Sequence, residues 1–322
     1  MQNILFTNKY AGKPLTIIES ELPDGFQIKF LNEQTDQCFI DSISEADYLL
    51  AGGRLRVTEK VLANVKNLKM IQRSGVGLDA LDLGAIKAKG IPLYVNQGVN
   101  AESVAEHTLL LILSCLRHLP VIDKNTKSGI WKKQEQGVQT RELCGKTVGI
   151  IGMGNIAIKL VSLLKPFNVN ILYYNLFRCS EEYEKDNNMK FVMLDELLRE
   201  SDIVSINCAL TEETKGLINS ETISHMKDGA IFVNTARGGI VDAKAVSDAL
   251  KSGKLSFAGL DVHENEPISD EYPLINTENV ILTPHIGGVT EDSFRAMMKA
   301  AFRNIELFDK GQLKEIERYR YL

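Results

Sequence analysis

Long apolar runs, basic blocks and paired cysteines are all missing from this chain, and each absence narrows what it does. The longest apolar stretch, HTLLLILSCL at residues 107–116, is flanked by Glu106 and Arg117. It falls short of the ~20 residues a membrane-spanning helix needs, so a buried helix and no membrane partner are expected. No concentrated basic segment occurs and the formal net charge is -5. Nucleic acid is therefore not an expected partner, because phosphate binding requires a basic face. The N-terminus, MQNILFTNKY, lacks the basic segment and apolar core of a secretory leader. The five cysteines (Cys38, Cys115, Cys144, Cys179 and Cys208) are odd in number, widely spaced and without a CxxC pair. Reduced thiols, a cytoplasmic location and no metal or disulfide role are the expectation.

What the chain does contain is an α/β rhythm. A length of 322 residues suggests two domains. In the first part, short apolar runs (NILFT, FQIKF, YLLAG, KMIQRS, PLYVN) alternate with amphipathic segments such as TEKVLANVKNL and DALDLGAIKAKG. A long helix is expected from NAESVAEHTLLLILSCLRHL, with Asn100 as its N-cap and Pro120 marking its stop. The polar stretch SGIWKKQEQGVQTRELCGK reads as a surface connection around an anchored Trp131.

The second part opens with KTVGIIGMGNIAIKLVSLL, in which residues 152–157 fit G-x-G-x-x-G/A between a buried strand and an amphipathic helix. Gly152 permits the tight turn, Gly154 allows close approach of a pyrophosphate, and Ala157 lets helix pack on strand. Further strands are expected at NILYY, DIVSI, AIFVN, FAGLD and NVILT, suited to a parallel sheet covered on both faces. NILYY ends in Asn175, where such a unit normally carries an acid that bonds the ribose and repels a 2′-phosphate. Arg178 offers that phosphate a cation, or is a solvated loop residue. NAD is favoured over NADP on this exclusion logic.

Three residues in the C-terminal half carry the chemistry: Arg237 in NTARGGIVD, Glu266 in DVHENEP and His285 in LTPHIGG. Each follows an apolar run, and strand ends are where open α/β sheets gather binding groups. Arginine clamps a carboxylate with its planar fork, histidine exchanges protons near neutrality, and a carboxylate beside it orients the ring and favours its charged form. His263 suggests no metal site without further convergent ligands. His225 is expected at the surface or in a cap, and His107 and His118 in hydrogen-bonded packing.

Taken together, GIIGMGNIA, NTARGGIVD, DVHENEP and LTPHIGG, with RSGVGLDALD, NAESVAEHTLL, GIW and LTEETKGLIN, resemble the D-isomer-specific 2-hydroxyacid dehydrogenase family over nearly the whole chain. The resemblance implies a Rossmann-type doubly wound dinucleotide-binding domain (98–291) and a flavodoxin-like substrate domain (1–97, with 292–322 returning to it). It also implies a homodimer with the substrate in the cleft between the domains. His285 is then the acid/base, Glu266 its partner and Arg237 the substrate clamp, helped by Val76, Gly77 and Asn100. Family-like cofactor positions are Gly152, Gly154, Asn155, Ile156, Asn175, Ala209, Thr214, Thr235, Ala236 and Asp261, the last bonding the nicotinamide carboxamide. Ala209 stands where many relatives have proline.

The ending HIGG resembles the phosphoglycerate dehydrogenase type, a role in serine biosynthesis, although the chain leaves no room for the regulatory domain of longer members. Arg54 and Arg56 are candidate cations for a substrate phosphate, while relatives that bind phosphoglycerate tend to have a basic residue where this chain has Gly52. Glyoxylate or hydroxypyruvate reduction is the enzymatic alternative. A dinucleotide-sensing binding protein without turnover is the alternative of another class.

Overall fold

The computed structural model describes residues 1–53 and 55–322; Arg54, one of the two candidate phosphate cations, lies outside the described residues. Two compact units result, Met1–Asn100 with Val289–Leu322, and Ala101–Gly288.

In the first unit, the five apolar runs become strands β1 (Gln2–Phe6), β2 (Phe26–Phe30), β3 (Tyr48–Ala51), β4 (Met70–Arg73) and β5 (Leu93–Val95). They pair in parallel in the order β2-β1-β3-β4-β5, the flavodoxin-like winding. One face is covered by the helices Lys13–Glu21 and Glu291–Asp309. The Thr290 hydroxyl caps the second of these by accepting the Ser293 N–H at 3.1 Å. Phe294, Met297, Met298, Ala301, Phe302 and Ile305, spaced three and four residues apart, put one helical face against Ile4, Phe6, Tyr48 and Leu50. The opposite face is closed by Phe39, Ile43, Val61, Leu62 and Ile86. The amphipathic segments expected between the strands give only short helices, Glu59–Leu62 and Leu83–Ala88.

The second unit holds β6 (Thr147–Ile151), β7 (Asn170–Tyr174), β8 (Met189–Phe191), β9 (Ile203–Ile206), β10 (Ala230–Asn234), β11 (Leu255–Leu260) and β12 (Val280–Leu282). All pair in parallel, in the order β12-β11-β10-β9-β6-β7-β8. The order reverses between β6 and β9, which makes the loop after β6 the switch point where such sheets bind ligands. β8 was not among the expected strands; three residues at the sheet edge carry too little apolar signal.

The helix Ala101–Leu116 begins directly after Asn100 and lies in the second unit, burying Ala105, Leu111, Ile112 and Cys115 with Val148, Ile150, Val233 and Phe257. Two expectations about this region need correction. The helix stops at Leu116, because His118 turns into the left-handed region (φ 48°), and Pro120 instead sits in the first turn of the next helix, Leu119–Lys127. Trp131 is not anchored: it is 81% exposed. Among the described residues no single helix is long and apolar enough to cross a membrane, and the two consecutive helices here are bent by 62°.

Candidate active site

The glycine turn leaves β6 with its first residue strained for a purpose. Gly152 has φ 93°, and a Cβ there would lie 2.5 Å from the main-chain nitrogen of Cys208, so no other residue fits. Gly154 is different: a Cβ on it would meet nothing within 4 Å. It precedes the helix Asn155–Leu164, whose N-terminus has no side-chain cap. Open space in front of uncapped N–H groups is the arrangement a pyrophosphate requires, and the residues fit a dinucleotide on that observation. Ala157 is fully buried, as the close helix–sheet packing demands.

Asn175, at the end of β7, is tied to this turn: its Oδ1 accepts the Met153 N–H at 3.2 Å and its Nδ2 donates to the Phe177 carbonyl at 2.9 Å. Arg178 is neither solvated alone nor turned to an empty site. Its Nε and Nη2 donate to the two carboxylate oxygens of Glu184 at 2.9 and 2.8 Å. Glu184, only 7% exposed, also accepts the Tyr173 hydroxyl at 2.6 Å. These donors, Arg178 first and then Tyr173, outweigh burial and hold its carboxyl at about 2.

On the other side of the sheet the three chemistry-bearing residues leave three consecutive neighbouring strands. After β10, the buried Asn234 folds the chain back by accepting the Ala236 N–H and donating to the Arg237 carbonyl, both at 3.0 Å. Gly238 follows, and a Cβ there would lie 2.0 Å from the carbonyl carbon of His263. Glycine is what lets the Arg237 loop lie against the main chain that follows β11. Arg237 itself is half-buried, with Nη1 donating to the Ala236 carbonyl at 2.7 Å.

Glu266 and His285 are brought together. Glu266 Oε2 lies 2.9 Å from His285 Nδ1, and its Oε1 accepts the His263 N–H at 2.8 Å. An ionised carboxylate only accepts, so Nδ1 of His285 carries a hydrogen and Nε2 is the nitrogen left to exchange a proton. The His285 side chain is 44% exposed and that of Glu266 13%.

His285 adopts φ 59°, a left-handed conformation that costs a non-glycine residue roughly 1 kcal/mol. Asp261 holds it there. Its Oδ1 accepts the Thr283 hydroxyl at 2.6 Å and the Ile286 N–H at 2.9 Å, and its Oδ2 accepts the Gly287 N–H at 2.8 Å. His107 Nε2 lies 3.1 Å from the Thr283 hydroxyl and 3.4 Å from Asp261 Oδ1. Burial alone raises the Asp261 carboxyl, but His107, Thr283 and the two main-chain donors prevail and bring it to about 2. Asp261, which the family resemblance places at the nicotinamide carboxamide, is 2% exposed and also anchors the loop that carries His285.

His263 is structural in the same network. Its Nε2 donates to the Thr283 carbonyl at 3.0 Å, so Nδ1 accepts from the Tyr272 hydroxyl at 3.1 Å; Tyr272, pushed up to about 12 by burial and then by Glu264 and Glu266, stays a donor. Among the described residues no group of three His, Cys, Asp or Glu side chains is arranged to hold a metal ion. Thr235 pairs with Thr108 at 2.8 Å, and the Thr214 hydroxyl donates to the Ala209 carbonyl at 2.7 Å. His225 ends a helix and meets Asp195 at 2.7 Å, and His118 packs on Phe257 with ring centroids 5.1 Å apart.

The first unit has its own loop cluster. Arg73 donates to the Ala51, Gly53 and Gly77 carbonyls at 3.0, 3.3 and 2.7 Å, and so fixes the turn that carries Val76 and Gly77. Val76 is 39% exposed, and Asn100 is half-buried. His107 has the hydrogen-bonded packing role expected of it, but its partners, and the roles of Arg73 and Glu184, were not assigned from sequence, since the fold creates their proximity.

Comparison with known proteins identifies the family. Residues 109–287 match the NAD binding domain of the D-isomer specific 2-hydroxyacid dehydrogenases. A hydroxypyruvate reductase of Thermotoga maritima is 40% identical over 270 residues, covering 83% of this chain and 84% of that protein. A D-3-phosphoglycerate dehydrogenase of Archaeoglobus fulgidus is 36% identical over 84% of this chain, which spans about half (51%) of that longer protein. Among solved structures, the D-lactate dehydrogenase of Aquifex aeolicus complexed with NAD and lactic acid is 29% identical, with a TM-score of 0.86, covering 99% of this chain and 98% of that one. A carboxylate-held histidine beside an arginine loop, on a sheet with a dinucleotide turn at its switch point, therefore belongs to a recognised lineage: this chain is a member of the D-isomer specific 2-hydroxyacid dehydrogenase family.

Proposed function

We propose that the chain is an NAD-dependent reductase of a small, unphosphorylated 2-oxo acid such as hydroxypyruvate or glyoxylate, acting reversibly on the D-2-hydroxy acid. The observation that carries the chemistry is the 2.9 Å contact between Glu266 and His285, on a loop neighbouring that of Arg237. A bound nicotinamide supplies or accepts the hydride. Arg237 clamps the substrate carboxylate and polarises the adjacent carbonyl. His285 in its protonated form, oriented by Glu266, gives its Nε2 proton to the developing alkoxide, and in oxidation the neutral ring takes the hydroxyl proton back. Val76, Gly77 and Asn100 supply the remaining carboxylate contacts.

Gly152, Gly154, Asn155 and Ile156 hold the pyrophosphate and Asn175 the ribose, with Ala209, Thr214, Thr235, Ala236 and Asp261 on the nicotinamide side. The commitment of Arg178 to Glu184 supports NAD. Gly52 supports the unphosphorylated substrate. A Cβ at that position would meet the ring of the buried Phe6 at 2.8 Å, so the place where phosphoglycerate-binding relatives tend to carry a basic residue is closed to a side chain. Arg56 is exposed. A homodimer is proposed on family grounds.

Steady-state oxidation of NADH against glyoxylate, hydroxypyruvate, 3-phosphohydroxypyruvate and pyruvate tests this reading. Turnover concentrated on the first two is expected. Preference for the phosphorylated acid overturns the substrate assignment, and tight NADH binding without turnover of any acid favours the sensor reading.

A further inference from the structure

We propose that Glu184 sets the dinucleotide preference of this chain by withdrawing Arg178 from the position an adenosine 2′-phosphate would occupy. The inference rests on reading the Gly152–Gly154 turn as a dinucleotide site, and it adds a residue outside that turn.

A 2′-phosphate beyond the end of β7 needs a cation there. Asn175 is followed by Leu176 and Phe177, 87% and 81% exposed, and Arg178 is the only cationic residue between Lys165 and Lys185. Its guanidinium is engaged edge-on by both Glu184 oxygens, so an approaching dianion meets a neutralised pair with a carboxylate behind it. The pair does not open easily. Glu184 is nearly buried and is fixed from the opposite side by the Tyr173 hydroxyl, which in turn accepts the Cys179 N–H at 2.8 Å. Arg178 is itself 55% exposed, but the Glu184 side chain is only 9% exposed, so moving Arg178 to a phosphate would strand a nearly buried carboxylate with the tyrosine alone, which is unfavourable. The negative charge that excludes NADP in comparable folds stands at the end of the second strand. Here it stands nine residues later, in the helix Glu181–Asp186, and works by occupying the cation.

The test measures NADH and NADPH binding by fluorescence titration, with turnover alongside, for the native chain, Glu184→Gln, Arg178→Gln and the double variant. Glu184→Gln is expected to tighten NADPH binding roughly tenfold, the size of one released ionic contact, with NADH changed less than about threefold. Arg178→Gln is expected to leave native NADPH binding unchanged, and in the double variant to abolish the gain. A tenfold loss of NADPH affinity in Arg178→Gln would show that Arg178 already serves the phosphate, and would overturn the proposal even if Glu184→Gln failed to fold. An unchanged NADPH-to-NADH ratio in a folded Glu184→Gln variant that binds NADH overturns the role of Glu184 alone. A native chain that binds neither dinucleotide overturns the underlying reading as well.

Discussion

Glu266 divides its carboxylate between His285 and the main chain of His263, one oxygen for each. The second contact is what makes the first directional. A carboxylate fixed by an N–H cannot rotate away from the imidazole, so the ring is held with Nδ1 inward and Nε2 outward. Glu266→Gln keeps the shape but lacks the charge that favours imidazolium. Its kcat for 2-oxo acid reduction is expected to fall ~10- to 100-fold. Steady-state kinetics of both proteins check this; an unchanged kcat would remove Glu266 from the proton-transfer pair.

Arg237→Lys retains the charge and loses the planar fork. The expected result is a roughly 100-fold drop in kcat/KM, carried by both KM and kcat, because the clamp positions the acid and polarises its carbonyl. Kinetics with a 2-oxo acid and with the corresponding 2-oxo amide, which has no carboxylate to clamp, separate the effects. The amide should escape the part of the loss that comes from the clamp and keep the part that comes from carbonyl polarisation.

Asp261 makes the protein's stability acid-dependent. Its folded carboxyl is held at about 2, below the ordinary value near 4, so its contribution is fully present above ~4 and is lost as pH falls through about 2. One pK unit corresponds to 1.36 kcal/mol, which puts that contribution on the order of 2 kcal/mol. Urea unfolding between pH 5 and pH 2 is expected to show the decline in the native chain. Asp261→Asn should be less stable at pH 7, and its pH slope over this window should be shallower.

The two glycines of the turn should respond in opposite ways. Gly152→Ala forces a Cβ into main chain at 2.5 Å with φ 93°, and a destabilisation of more than ~2 kcal/mol is expected. Gly154→Ala meets no protein atom, so its thermal midpoint should hold while its NADH affinity falls. Thermal scans with and without NADH check the pair.

How much of this was legible in the sequence depends on the range of the interaction. Ten of the twelve strands announced themselves as apolar runs bounded by turn residues, and β6 was identified together with its glycine loop. The triplet could be found because Arg237, Glu266 and His285 each follow such a run. Short edge strand β8 gave no comparable signal. The helix break at Leu116 depends on His118 accepting a left-handed backbone, which sequence pattern does not encode, and Pro120 marks the following helix. His107 reaches Asp261 across 154 positions, and Arg178 meets Glu184 only because the loop after β7 turns back on the helix that follows. Partners of this kind are set by how the chain turns back on itself, and composition is silent about them.

The helix Glu291–Asp309 has a bearing on how the molecule comes into being. On a ribosome, all five strands of the first sheet emerge before any of the second unit, yet the residues that roof one face, Phe294 to Ile305, emerge after it. The helix Lys13–Glu21 covers part of that face early, but the rest has to wait through the synthesis of about 190 intervening residues, at ~5–20 residues per second. The nascent first unit is therefore an obligate client of its own C-terminus, and the second unit is free to finish folding first.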